Sequence, residues 1–523
     1  MKKKNSFFYK DEKLFLFLLF FFSLLINQYY GNLGVSPLDS FSHFDSSFRV
    51  LNGELPFRDF WIISGPIVDY IQSFFFFIFG VNWQSYVLHA SLINALLTIV
   101  TYFLLRSFDL KIGYCFFYSF LFSILAYPSS GTPFVDHHAA FFSLLGVYFS
   151  ILAIKSENKF LWYLFPIFFG FAFLSKVVPS SYVIILEAVI LLTYTIINKK
   201  IKLLKCSIVS SFFFILFIIL ILKIQDIKIL SFLTQYIFHP LTVGSDRVET
   251  LNFTFAGIIS HFKFIYLALT PFFYIKLKNI IKKDNFLKKK EIYFFSIILC
   301  LVFSLITHQI LTQNQTFIFF LIPILGGFSH ISLNEEKVKN NYLKILIIVI
   351  CIYSTTKYHF RFNENRKFHD INHLDFNLSL NASNIDKKFK GLKWISPEFP
   401  KDPDKEIILL KKIKKVLNND KRNKMLITHY SFFSAILDEK LHSPVRWYLK
   451  SGQVSPKFGS KYFKDYREFI IDRIKKNKIE VIYIIKPLDI GSLEGVFDKK
   501  CLQKSGLDEN IKIHLIVKCN DLK

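Results

Sequence analysis

The signatures of nucleotide and redox chemistry are missing from this 523-residue chain. It has no Cys-x-x-Cys, no Walker loop and no Rossmann fingerprint, which leaves no ground for an internal ATP site. Carboxylates are scarce: 39 Asp and Glu stand against 65 Lys and Arg, for a formal charge of +26. Such an excess can mark nucleic-acid binding, but no recognition motif accompanies it. Lys and Phe are both inflated, as AT-rich coding would make them. The first apolar run follows MKKKNSFFYKDEK without a small-residue cleavage site and continues into Asn27–Tyr30. It therefore reads as an uncleaved first helix rather than a removable signal peptide. No internal repeat is visible.

What is abundant is apolar length. Hydrophobic residues make up 52% of the chain, and the mean hydropathy is +0.37. Apolar windows of about 18 residues recur, the length that spans a hydrocarbon core of about 30 Å. In lipid such segments must be helices, because each backbone amide needs an internal partner. The spacing predicts a polytopic α-helical membrane protein with about eleven transmembrane helices, near 14–30, 84–105, 113–129, 138–155, 160–175, 178–197, 206–223, 255–276, 291–310, 315–333 and 342–357. The 160–197 region is either two short helices or one long helix kinked near Pro179. Residues 66–80 are too short to span, carry Asp69, and read as an interfacial helix.

Lys and Arg in alternate loops set the expected orientation. Lys2–Lys4, Arg106 with Lys111, Lys155 with Lys159, Lys199–Lys205, Lys276–Lys290 and Lys337–Lys344 mark the cytoplasmic side. Loops 31–65, 130–137, 224–254 and 311–314 are acidic or nearly neutral and lie outside on this reading. The N-terminus is then cytoplasmic, in an inner (cytoplasmic) membrane, and the C-terminus periplasmic. From about Thr356 the apolar runs shorten and charge rises. KMLITHYSFFSAIL and IEVIYIIK read as buried strands, EIILLKKIKKVL and YREFIIDRIKKN as helices. The expected division is a bundle over 1–357, with a first outer loop at 31–83, and a soluble α/β domain on the outer face over 358–523. Cys501 and Cys519 fall in that domain and make a candidate disulfide in an oxidising compartment. The other four cysteines lie in or at apolar spans, as core thiols.

Polar residues gather at the outer ends of the spans. The first outer loop holds Asp39, Asp45, Glu54 and Asp59, with Asp69 just beyond. Carboxylates beside a membrane are costly unless they work, pair or stay wet. YPSSGTPFVDHHAA supplies Asp136, His137 and His138; LSKVVPS supplies Lys176; QYIFHPLTVGSDRVE supplies His239, Asp246 and Arg247; THQILTQNQ runs from Thr307 to Gln315. A lipid-linked phosphate donor would lie with its tail in the bilayer and its headgroup at this surface. Lys176 and Arg247, assisted by His137, could hold the leaving phosphate. A first-loop carboxylate could serve as base toward an acceptor hydroxyl.

The stretch from Asp39 to Pro66 resembles the first outer loop of the membrane glycosyltransferases of the C superfamily, which include the protein O-mannosyltransferase and lipid A aminoarabinose transferase families. The residues that carry the resemblance are Asp39, Gly53, the run PFRDF (Pro56–Phe60) and Gly65–Pro66, followed by GFAFLSK (Gly170–Lys176). It covers roughly the first 250 residues; the remainder fits in layout alone. The resemblance implies an integral-membrane glycosyltransferase with a polyprenyl-phosphate sugar donor, inversion at the sugar and a glycan, lipid or protein acceptor. It places the catalytic carboxylate on Asp39, although Ser40 stands where the family commonly has Glu. Asp45, eight residues before Gly53, is the rival.

Each residue also has a plainer role. Asp39 could cap the helix that follows it. Arg58 and Asp59 could be an ion pair that structures the loop. Asp136, His137 and His138 could bind a divalent cation, with phosphate or acceptor contact the favoured alternative. Lys176 could simply snorkel to the interface. His239–Pro240 reads as a turn, and the polar set at 313–315 as helix capping. A transporter or flippase of lipid-linked glycan is the rival from another class; a surface-polysaccharide polymerase or ligase is a nearer one.

Overall fold

A computed structural model of the chain describes residues 10–249, 254–281, 286–312, 318–336, 341–449, 453–497, 501–505 and 510–517. The chain divides into two compact units. The first comprises 1–32, 87–216 and 250–368, the second 33–86, 217–249 and 369–523. The first-loop segment expected with the bundle thus groups with the C-terminal residues.

The first unit is a helical bundle. Among the described residues of the whole chain, eight helices are long and apolar enough to cross a membrane: Asp11–Tyr30, Trp83–Ser107, Val135–Ser156, Val177–Ile197, Ile201–Ile224, Ala256–Ile281, Lys290–Thr312 and Asn341–Glu364. The other three expected spans are shorter. Ile112–Leu125 has 14 residues, Lys159–Ser175 has 17 and Leu321–Glu335 has 15. The count of eleven therefore includes three helices shorter than a full span. The 160–197 region is two helices, broken just ahead of Pro179: Lys176 and, at φ −113° and ψ 127°, Val178 both leave the helical conformation. Lys176 is extended at φ −159°, ψ 134°, ending one helix before the next begins at Val177. The bundle core is aromatic and aliphatic, with Tyr102, Tyr148 and Trp162 fully buried. Gly31 and Gly131 let two backbones meet: a Cβ on Gly131 would lie 2.5 Å from the Gly31 Cα, and Gly131 has φ +73°, a conformation glycine adopts without strain.

The second unit joins the first-loop segment to an α/β domain. Pro37–Ser40 and Ser42–Leu51 are short helices. Gly65 (φ 62°) and Pro66 then open helix Pro66–Phe79. Left-handed glycine followed by proline at the first helical position turns the chain and presets helical φ. This helix packs against Ser42–Leu51, and its 14 residues are too few to span. Strands β1 (Leu380–Asn381) and β2 (Lys393–Trp394) form a small ladder. The main sheet contains β3 (Lys424–Ile427), β4 (Val481–Ile485), β5 (Leu502–Lys504) and β6 (Ile511–Ile516), in the order β3-β4-β6-β5. β3 and β4 are parallel and fully buried, and apart from Lys424 at the start of β3 their residues are apolar, as two-sided burial requires.

Helix Pro403–Asn419 leads into β3 and helix Phe463–Lys476 into β4. The first starts as its chemistry dictates: Asp402 accepts a hydrogen bond from Lys405 N (3.2 Å) and Pro403 occupies the first position. The segment after Ile427, expected as strand, instead forms helix Phe433–Leu437. Two links sew the first loop in. Gly34 N and Val35 N donate to Lys393 O and Ile395 O at 3.0 and 2.9 Å, and Trp61 N donates to Pro444 O at 2.8 Å. Trp61 is 2% exposed and belongs to the core under the main sheet. Cys501 is disulfide-bonded and Cys115, Cys206, Cys300 and Cys351 are free; Cys519, its expected partner, lies outside the described residues.

Candidate functional site

In the first unit, Asp136 stands in the first turn of helix Val135–Ser156, where the helix dipole favours a carboxylate. The extended backbone at Lys176 aims its ammonium at this turn, and Lys176 Nζ donates to Asp136 Oδ1 at 2.6 Å. His308 Nε2 lies 3.5 Å from the same oxygen. Asp136 is 3% exposed and Lys176 25%, so the carboxylate is buried beneath a cation that still reaches solvent. His137 and His138 pack against Tyr127. The His137 ring stacks on Tyr127 (5.0 Å, 25°). His138 Nδ1 is 2.6 Å from the Tyr127 hydroxyl and its Nε2 is 3.0 Å from His89 Nε2. Asp136 thus faces Lys176 and His308, while His137 and His138 both meet Tyr127, one at its ring and the other at its hydroxyl. Among the described residues no group of three or more His, Cys, Asp or Glu is disposed to hold a metal ion.

Arg366 belongs to no motif or pattern legible in the sequence. Its guanidinium is buried and donates to the carbonyls of Pro128, Ser129 and Ser130 at 2.7, 3.0 and 2.9 Å. Burial draws it down to about 10, still cationic at neutral pH. It fixes the loop that carries Gly131 and leads into the Asp136 helix. Its position just after the last long helix offered no pattern to read.

The second unit holds the acidic cluster, and burial sorts its members. Asp39 is half-buried in helix Pro37–Ser40. It does not cap the following helix: the N-cap there is Phe41, with no side-chain cap bond, while Ser42 Oγ donates to the Asp39 carbonyl at 3.1 Å. Asp45 is 5% exposed. Burial raises its carboxyl to about 6, against the pull of Arg49 and a hydrogen bond from Ser434. Glu54 takes Arg49 Nε at 2.6 Å and faces His442 Nδ1 at 2.9 Å. Burial opposes its charge, but Arg49 and His442 outweigh it and hold Glu54 at about 2.

The PFRDF run is a structural knot. Arg58 Nη2 and Nε donate to Asp59 Oδ2 at 2.6 and 2.8 Å, Leu55 N donates to the same oxygen at 2.9 Å, and Arg473 Nη1 donates to Asp59 Oδ1 at 2.7 Å. Arg58 Nη1 also reaches Gln225 O at 2.9 Å. Asp69 is fully buried and takes Ser46 Oγ at 2.6 Å, His43 Nδ1 at 2.7 Å and Arg446 Nη2. Burial first, then Arg446, keeps His43 below its usual pKa despite Asp69, so the neutral ring donates from Nδ1. His239, expected in a turn, begins helix His239–Glu249, and burial lowers it to about 4. Arg247 falls in the same helix, but its side chain lies outside the described residues, as do positions 313–315.

Comparison with known proteins adds the class. Residues 64–223 match the dolichyl-phosphate-mannose-protein mannosyltransferase family. The match takes in Asp136, His137 and Lys176 and begins downstream of Asp39 and Asp45. Among curated proteins none matches the chain. Among solved structures, ArnT from Cupriavidus metallidurans bound to undecaprenyl phosphate shares the fold, with a TM-score of 0.51 over 97% of this chain and 98% of that one, at 10% identity. The domain match gives the class and the fold agrees with it: the chain is a multi-pass membrane glycosyltransferase that carries, over 64–223, a domain of this mannosyltransferase family.

Proposed function

We propose that the chain transfers a sugar from a polyprenyl-phosphate donor to a glycan, lipid or protein acceptor on the outer face of the cytoplasmic membrane. The domain match over 64–223 carries the reading. The undecaprenyl phosphate bound in the ArnT structure of the same fold supports the donor class. In this chain Lys176, ion-paired yet 25% exposed, with His137 close behind in the Asp136 turn, would hold the donor phosphate. Arg247 is the second candidate cation. The alternation of basic and neutral loops supports the outer placement, with the C-terminal domain periplasmic.

Asp39 is the proposed base. Of the two rivals it is the one that reaches solvent, whereas Asp45 is sealed beside Arg49. In the step, Asp39 takes the proton of the acceptor hydroxyl as that oxygen attacks the anomeric carbon. The bond from that carbon to the phosphate oxygen breaks, and polyprenyl phosphate leaves with the electron pair. Positioning and charge stabilisation supply most of the rate. Asp39→Asn in lipid nanodiscs should insert and unfold like the parent yet lose transfer of radiolabelled sugar from a polyprenyl-phosphate donor by about 100-fold or more. Full activity in that variant would remove Asp39 from the chemistry. A protease added outside intact spheroplasts should cleave a C-terminal tag; protection of the tag would reverse the orientation.

A further inference from the structure

The second unit contains a cleft that the transfer chemistry leaves unused. It lies on the C-terminal α/β domain and has a volume of about 490 Å3, within the roughly 300–1,000 Å3 typical of small-ligand sites. Its lining joins an aromatic wall to a polar rim. Phe458 is 64% exposed, and its ring meets Phe463 edge-to-face, with centroids 5.4 Å apart at 88°. The ring lies directly over Gly495, whose φ is +71° and where a Cβ would stand 2.1 Å from it. Any side chain at 495 would lift the ring away. The lining also includes Asp489, Ser492 and Glu494. Asp489 accepts from Gly491 N at 2.9 Å and so fixes the turn Ile490–Leu493 that carries Ser492. The Tyr448 hydroxyl, also in the lining, is buried and has no hydrogen-bond partner among the described residues.

We propose that this cleft binds an uncharged saccharide, which, on the glycosyltransferase reading above, is part of the acceptor. A sugar ring offers C–H bonds on one face and hydroxyls around its edge. The negative face of an aromatic ring attracts the former, and carboxylates and hydroxyls pair with the latter. The charge balance excludes a phosphate ligand: Asp489 and Glu494 outnumber Lys457 in the lining. The cleft therefore differs in chemistry from a donor-phosphate site.

The test uses the full-length chain in nanodiscs and saturation-transfer NMR with maltotetraose, cellotetraose and chitotetraose as probes. At least one should bind saturably. Phe458→Ala should weaken that binding about tenfold without changing the unfolding temperature, since the ring rests on the surface, and Phe458→Tyr should restore it. Absence of binding to all three probes, or equal binding by the parent and Phe458→Ala, overturns the proposal. So does a Phe458-dependent site that takes an unglycosylated Ser/Thr peptide instead. Saccharide binding that depends on Phe458 in a protein with no transfer from lipid donor would support the cleft and refute the enzymatic reading separately.

Discussion

Asp45→Asn separates the two rival carboxylates in a single variant. Asp45 is sealed in the second unit, and burial raises its carboxyl from about 3.8 to about 6. Ionising it therefore costs roughly 3 kcal/mol more in the fold than in the unfolded chain, at about 1.36 kcal/mol for each unit of difference. The sign follows from linkage. Below about pH 4 the group is protonated in both states and exerts no penalty. Between about 4 and 6 the unfolded chain ionises first and the folded state loses stability. Above about 6 the full penalty stands. Asparagine is isosteric with the protonated acid and escapes it, while Arg49 keeps Glu54 as its partner at 2.6 Å. The variant should match the parent near pH 4 and be more stable by roughly 1–3 kcal/mol at pH 7.5. For a folded unit of this size that is an unfolding temperature higher by roughly 2–12 °C. Scanning fluorimetry in nanodiscs at pH 4 and 7.5 measures it, and sugar transfer on the same samples should be retained. A variant less stable than the parent at pH 7.5 would refute the burial argument. A stable variant without transfer would make Asp45, not Asp39, the carboxylate that acts on the acceptor.

Other outcomes follow from the same structure. Arg446→Ala strands Asp69, fully buried against His43 and Ser46, and should destabilise the protein by about 3–5 kcal/mol; the Asp69→Asn/Arg446→Met double variant should recover most of it, and additive losses in that cycle would show the pair to be uncoupled. Lys176→Gln alone leaves Asp136 buried without its cation, so the phosphate role is tested in Lys176→Gln/Asp136→Asn. That double variant should fold, as judged by its unfolding temperature, and show a raised KM for the lipid donor; an unchanged KM would return Lys176 to a purely structural pairing.

The class of the protein was legible because lipid permits few solutions. Long apolar runs must be helices, so span positions followed from composition, and the ends of most spans agree with the helices to within a few residues. Span number was less legible. Ile112–Leu125 and Leu321–Glu335 fall short of the apolar runs expected to span, and Lys159–Ser175 fills its run with only 17 residues. The strands β3 and β4 were readable as unbroken buried runs, and Arg58–Asp59 as adjacent opposite charges. The helix cap proposed for Asp39 was misread, because Pro37 starts a separate turn ahead of it and Phe41 takes the cap position.

Sequence by itself determined what depends on short range: apolar length, helix starts such as Gly65–Pro66 and Asp402–Pro403, and ion pairs between neighbours. Tertiary structure alone decided the electrostatics of the acidic cluster. Asp69 meets Arg446 across 377 positions, Asp59 meets Arg473 across 414, and Asp136 meets Lys176 across 40. Which carboxylate is sealed, which is paired and which reaches solvent depends on desolvation and on partners brought from far along the chain. Five acids that look alike in sequence become a half-buried base candidate, a raised acid, two ion-paired anions and a buried hub.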